Sequence, residues 1–133
     1  MATVSLHATW TRVNAAMERG HGTDAASLLT PILRGGSLNR EDELTVRAAL
    51  AEAWLLQDDL AQASAALGRR PDTMREPASD ATLSALWRLH GRVAFARGEQ
   101  SRAIALHTRA LRHAELAHDS RAIGLVRSEE HTS

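Results

Sequence analysis

Residues 87–110 read WRLHGRVAFARGEQSRAIALHTRA, two apolar-patterned segments that meet at Arg97-Gly98. Around the first, Leu83, Leu86, Trp87, Leu89, Val93, Ala94 and Phe95 wrap most of a helical circumference and leave mainly Arg88, His90 and Arg92 polar. A helix that apolar is packed on more than one side. Gly98 is its stop signal. From about Ser101 to Ala117, Ala103, Ile104, Ala110, Leu111 and Ala114 recur along one face of a second helix. Gly91 falls in mid-helix, where glycine costs roughly 0.5–1 kcal/mol relative to alanine, so close approach of the partner helix must offset it.

The pattern extends upstream. Leu6, Trp10, Val13 and Met17 fall on one helical stripe that ends at Gly20. A helix capped by Thr23 or Asp24 follows, carrying Leu28, Leu29 and Leu33 with Pro31 inside it, and stops at Gly35-Gly36. The third opens at Asn39, where Glu41, Asp42 and Glu43 suit the positive end of the helix dipole, and runs through Val46, Leu50 and Trp54 to Gln57. The fourth, capped by Asp58 or Asp59, reaches Gly68. A long loop, Arg69 to Ser79, holds two of the three prolines, and Ser79 or Asp80 begins the fifth helix. Asp119-Ser120 opens a seventh, Arg121 to Val126. The expected fold is all-α, one region over residues 1–126 with helix pairs at 6–36, 39–68 and 80–118 and a partial unit at 120–126.

Helix pairs in series align. Trp10-x-x-Val13-Asn14-x-x-Met17, Arg47-x-x-Leu50-Ala51-x-x-Trp54 and Trp87-x-x-His90-Gly91-x-x-Ala94 are each followed by an alanine sixteen residues after the first position, at Ala26, Ala63 and Ala103. In this the sequence resembles the tetratricopeptide repeat family, whose pattern is W-x-x-L-G-x-x-Y with small residues in the second helix. The unit from Trp87 to Ala110 matches best. The alanines stand 37 and 40 residues apart against a family spacing of roughly 34. The resemblance implies a right-handed α-α superhelix, a solenoid of about three repeats and the start of a fourth. It also implies packing roles for Trp10, Trp54, Ala63, Trp87, Gly91, Ala103 and Ala110, with Gly91 expected to face the small side chain of Ala103. His90 and His107 occupy positions usually filled by Leu and Phe, and would meet across the helix pair.

Composition narrows the function. There are 25 alanines, 16 arginines, no lysine and no cysteine, which removes disulfides, thiolate metal sites and cysteine nucleophiles. The net charge of zero hides blocks of +2 over residues 1–40, −5 over 41–80 and +4 over 81–126, and no block has the basic excess of a nucleic-acid groove. No secretion signal or spanning segment is read, so the expectation is a cytoplasmic protein that touches neither membrane nor nucleic acid. Phosphate loops, nucleophile elbows and zinc-helix motifs are absent from the sequence, and His107, His113 and His118 are not at metal-ligand helical spacing. No catalytic residue, metal or cofactor is therefore assigned, and the chain is not read as an enzyme.

What remains is surface. In the repeat family the first helix of each pair lines a concave groove, which the resemblance places here at Glu52, Leu55, Arg88, Arg92 and Phe95. Arg88 and Arg92 beside an exposed aromatic suit an acidic protein or peptide. The leading expectation is a protein interaction scaffold. The alternative is a piece of the sensor or oligomerisation region of a larger bacterial regulator or signalling ATPase, to which such alanine-rich arrays are attached. Residues 127–133, RSEEHTS, end the apolar pattern of the seventh helix after Val126 and resemble the in-frame translation of a short-read sequencing adapter, AGA TCG GAA GAG CAC ACG TCT. They are expected to be a non-native tail, which leaves the partial fourth unit with an open end that would self-associate.

Overall fold

A computed structural model describes residues 6–68, 71 and 78–131, and among them the chain is all-helical. The helices are α1 (Leu6–Glu18), α2 (Gly22–Arg34), α3 (Arg40–Leu56), α4 (Leu60–Leu67), α5 (Asp80–Ala96), α6 (Gln100–Leu116) and α7 (Ser120–His131). They form two compact units that divide between Ala66 and Leu67. Apart from Pro71, Ala78 and Ser79, the loop expected at Arg69–Ser79 lies outside the described residues.

Side-chain caps start α3, α4, α5 and α7. Asn39 accepts from the Asp42 amide, Asp59 from Gln62, Ser79 from Thr82 and Asp119 from Ala122, each satisfying an amide that the first helical turn leaves open. The start of α2 differs from the sequence expectation: it begins at Gly22, and His21 precedes it without a side-chain cap. A Cβ on Gly22 would run into the Ala53 carbonyl oxygen and come within 2.8 Å of Gln57 Nε2, so the chain enters α2 pressed against the end of α3. Neither Thr23 nor Asp24 can cap from inside the helix.

Four interhelical turns share one geometry. After α1, α3, α5 and α6 a residue takes positive φ: Gly20 (77°), Asp58 (58°), Gly98 (81°) and His118 (54°). Each donates its amide three residues back while the next amide reaches five back, as in Gly98 N–H to Phe95 C=O and Glu99 N–H to Ala94 C=O. This is the Schellman closure of a helix end. Gly20 and Gly98 adopt it freely, whereas Asp58 and His118 hold a conformation that L side chains reach at a cost.

In the first unit α1 packs on α2, and α2 on α3. Val13, Ala25, Ala26, Leu29, Leu50, Ala51, Ala53 and Ala63 are buried, and Arg47 Nη1 donates to the Ala66 carbonyl near the end of α4 (3.2 Å). Trp10 and Trp54, expected in the core, are half-buried. For Trp10 the reason is that α1 packs chiefly against α2 alone.

In the second unit α5 and α6 make the most extensive helix contact, and α7 packs mainly on α6. Trp87, Ala94, Ala103, Leu106, Ala110 and Val126 form its core, with Leu83 and Leu111 against them. The apolar pattern of α7 ends at Val126, but the helix does not: it continues to His131. Glu129 lies three residues beyond Val126, so both fall on the inward face.

Candidate functional site

On α5, Arg88, Arg92 and Phe95 follow at steps of four and three, which puts them on one helical stripe. Sequence reasoning expected all three at the surface. Phe95 is exposed (39%) and Arg92 partly so, but Arg88 is buried at 7% exposure, and the expectation of a free guanidinium is corrected. The cover is α7. Arg88 Nη1 donates to Glu129 Oε1 at 3.1 Å, and Arg92 Nε approaches the same oxygen at 3.8 Å. The other carboxylate oxygen stands 3.5 Å from His107 Nε2 of α6. Two helices thus deliver two guanidinium groups and an imidazole to one carboxylate carried by a third.

Gly91 makes this possible. A Cβ at that position would lie 2.5 Å from His107 Cδ2 and 2.7 Å from Nε2. The neighbour that requires glycine is therefore the buried His107 ring rather than the expected Ala103. The residues agree with a simple rule: 103 and 107 are one turn apart on α6, so both face α5. Ala103 and Ala110 are buried as well. Close approach is also visible at Ser84, whose buried hydroxyl donates to the Ala110 carbonyl at 2.8 Å.

The surroundings fix the seat. Trp87, 3% exposed, anchors α5 against α6 and carries Arg109 over its ring at 4.7 Å. His113 Nδ1 lies 2.8 Å from Asp80 Oδ1, joining the start of α5 to the last turn of α6. The three histidines of α6 and the turn after it thus have separate surroundings: His107 in the seat, His113 on Asp80, His118 in the turn. Among the described residues no three His, Asp or Glu side chains gather in a way that could hold a metal ion.

The other groove positions belong to the first unit. Glu52 is half-buried, while Leu55 and Ala48 are buried in α3. An open groove of about 470 Å³ runs along α1 and α2, bordered by Arg12, Arg19, His21 and Asp24. Its His21–Asp24 pair, at 3.6 Å, is solvent-exposed on both sides and screened accordingly. Among the described residues no helix is long and apolar enough to cross a membrane.

Chemically, the seat can bind and orient a carboxylate. A guanidinium offers paired donors that match one, and burial strengthens the contact by excluding water. Sequence reasoning left Glu129 out because residues 127–133 were read as a non-native tail, and no local pattern joins it to Arg88, 41 residues away. Comparison with protein-family models, curated proteins and solved structures finds no match to this chain.

Proposed function

We propose that the chain is a helical-repeat interaction module of tetratricopeptide type, in which successive helix pairs stack into a superhelix and bind an acidic peptide or protein segment. One observation carries the reading. Arg88 and Arg92 of α5 hold one carboxylate beside His107, and that carboxylate, Glu129, belongs to the stretch read as a non-native tail, so the seat accepts an acidic side chain that is foreign to it. A buried guanidinium is costly unless paired, and a seat that satisfies one suits recognition of a carboxylate on a helical surface. The shared Schellman turns and the small residues Ala51, Ala63, Gly91 and Ala103 support the repeat reading. On this reading the module binds rather than catalyses, needs no cofactor, and contacts neither nucleic acid nor membrane directly.

The test is selection of a displayed random-peptide library on the full chain, with Arg92→Glu and Phe95→Ala as counter-selections. Acidic sequences should be enriched, and both variants should lose them while far-UV circular dichroism stays unchanged. Arg88 is unsuitable for charge reversal, since a carboxylate there would face Glu129. Selected peptides with no acidic bias, or equal retention by Arg92→Glu, would refute the reading.

A further inference from the structure

Arg12, Ala15, Ala16 and Arg19 follow at steps of three, one and three, which puts them on one stripe of α1, and together they wall the open groove beside α2. Arg19 continues the spiral just past the end of α1, its amide bonded to the Ala15 carbonyl at 3.3 Å. We infer that this groove docks a helix of a partner protein, two acidic side chains seven residues apart pairing with Arg12 and Arg19 while small or apolar residues between them rest on Ala15, Ala16 and Leu28. The site is separate from the Arg88 seat, which belongs to the second unit.

Charge selects the partner. Among the described lining residues the sole acid is Asp24, and it stands 3.6 Å from His21 of the same turn. Arg12 and Arg19 are exposed, and neither has an ion-pair partner among the described residues. Ser27 donates its hydroxyl to the Thr23 carbonyl at 3.0 Å, so recognition falls to the guanidinium groups. Between them Ala15, Ala16 and Leu28 are half-buried by the α1–α2 packing and keep apolar surface turned to the groove. Two cations flanking a small apolar floor match an occupant with acids at its ends and small residues in its middle.

Backbone chemistry selects the conformation of that occupant. Ala15, Ala16 and Leu28 lie inside helices whose amides and carbonyls are bonded to one another, so the floor offers an extended strand no ladder partner. A helix brings its own backbone bonds and needs only a face. Arg12 and Arg19 are two turns apart, about 10.5 Å along the axis, and a helix lying along α1 repeats that distance at its residues i and i+7. The methyl side chains of Ala15 and Ala16 let it approach closely, to about 8–10 Å between axes.

The experiment titrates the full chain, isotopically labelled for amide NMR, with an alanine-rich helical peptide that carries two glutamates seven residues apart and two leucines midway between them. A peptide of the same composition with its glutamates five residues apart takes the acids off one stripe. Amide shifts should concentrate on α1 and α2, and the five-residue peptide should bind several-fold more weakly. Arg12→Gln combined with Arg19→Gln should weaken binding about tenfold, the product of two exposed ion pairs worth roughly threefold each. Ser27→Trp, which fills the groove from an exposed position and leaves the charge unchanged, should weaken it as well, and it stands in if the double variant loses its helical circular dichroism. Equal affinity for the two peptides overturns the helical register. Unchanged affinity in the variants, or no binding of the first peptide, overturns the site. Shifts centred on α5 with α1 and α2 silent overturn the groove and leave the Arg92 reading intact, whereas shifts on α1 and α2 beside a library selection without acidic bias uphold the groove and remove that reading.

Discussion

Replacing Gly91 by alanine sets two calculable effects against each other. On helix propensity alone the change stabilises by about 0.8–1 kcal/mol. In this structure the new methyl would sit 2.5–2.7 Å from the His107 ring, inside any contact that real Cβ atoms make. His107 is 5% exposed and close to Glu129, so the ring can yield only by leaving the seat or pushing α6 away. Overpacking of this kind costs roughly 1–3 kcal/mol, and loss of the ring's place beside Glu129 adds to it. The net expectation is destabilisation by about 1–2 kcal/mol. The decisive measurement repeats the substitution in a His107→Ala background, where the space is vacant and the propensity gain should reappear, stabilising by roughly 0.5–1 kcal/mol. Urea unfolding followed by far-UV circular dichroism, compared at constant m-value, reads both legs of the cycle. A stabilised Gly91→Ala in the otherwise unchanged chain would refute the assigned contact. So would rescue by Ala103→Gly in place of His107→Ala.

Four other substitutions probe the frame. His118→Gly should stabilise by about 0.5–1 kcal/mol in thermal or urea unfolding, because it relieves a positive φ that histidine reaches with strain, and a loss of stability would contradict the turn geometry. Gly22→Ala should cost about 3 kcal/mol, at the top of the overpacking range, since the Ala53 carbonyl it meets is backbone and cannot swing aside; a cost below about 1 kcal/mol would mean that α2 does not enter against α3 as described. Trp87→Ala should cost roughly 3–5 kcal/mol, whereas Arg109→Ala removes an exposed cation-π contact and should cost about 0.5–1 kcal/mol; similar costs for the two would contradict the core position of Trp87.

The helical class and the helix order were legible in the sequence because they are written locally. Asn39, Asp59, Ser79 and Asp119 each cap within three residues of the amide they satisfy, and Gly20 and Gly98 mark turns whose hydrogen bonds span five residues or fewer. What escaped was set by distant partners. Gly22 opens α2 without a cap because its neighbour is Ala53, thirty-one residues on. A glycine in the middle of α5 announces a close approach but not which turn of α6 supplies it, and Ala103 and His107 fit the same helical face. Arg88 was the least legible. Its place in the pattern is that of a solvent-facing residue, and only α7 arriving from the far end of the chain encloses it. Leu55, an apolar residue expected to line a groove, is buried in α3.

The modest attachment of α7 bears on how the second unit opens in time. Helices α5 and α6 bury apolar residues along their whole length, whereas α7 is tied by Val126 and by the Glu129 ion pairs. Protection against amide hydrogen exchange follows such differences in buried contact, since each segment exchanges through the cheapest opening that frees its backbone. The amides of α7 should therefore exchange first, through detachment of that helix alone, while those around Leu89 and Leu106 wait for the unit as a whole to unfold. The second unit is in this sense two cooperative layers, a slow helix pair and a fast helix latched onto it by a carboxylate.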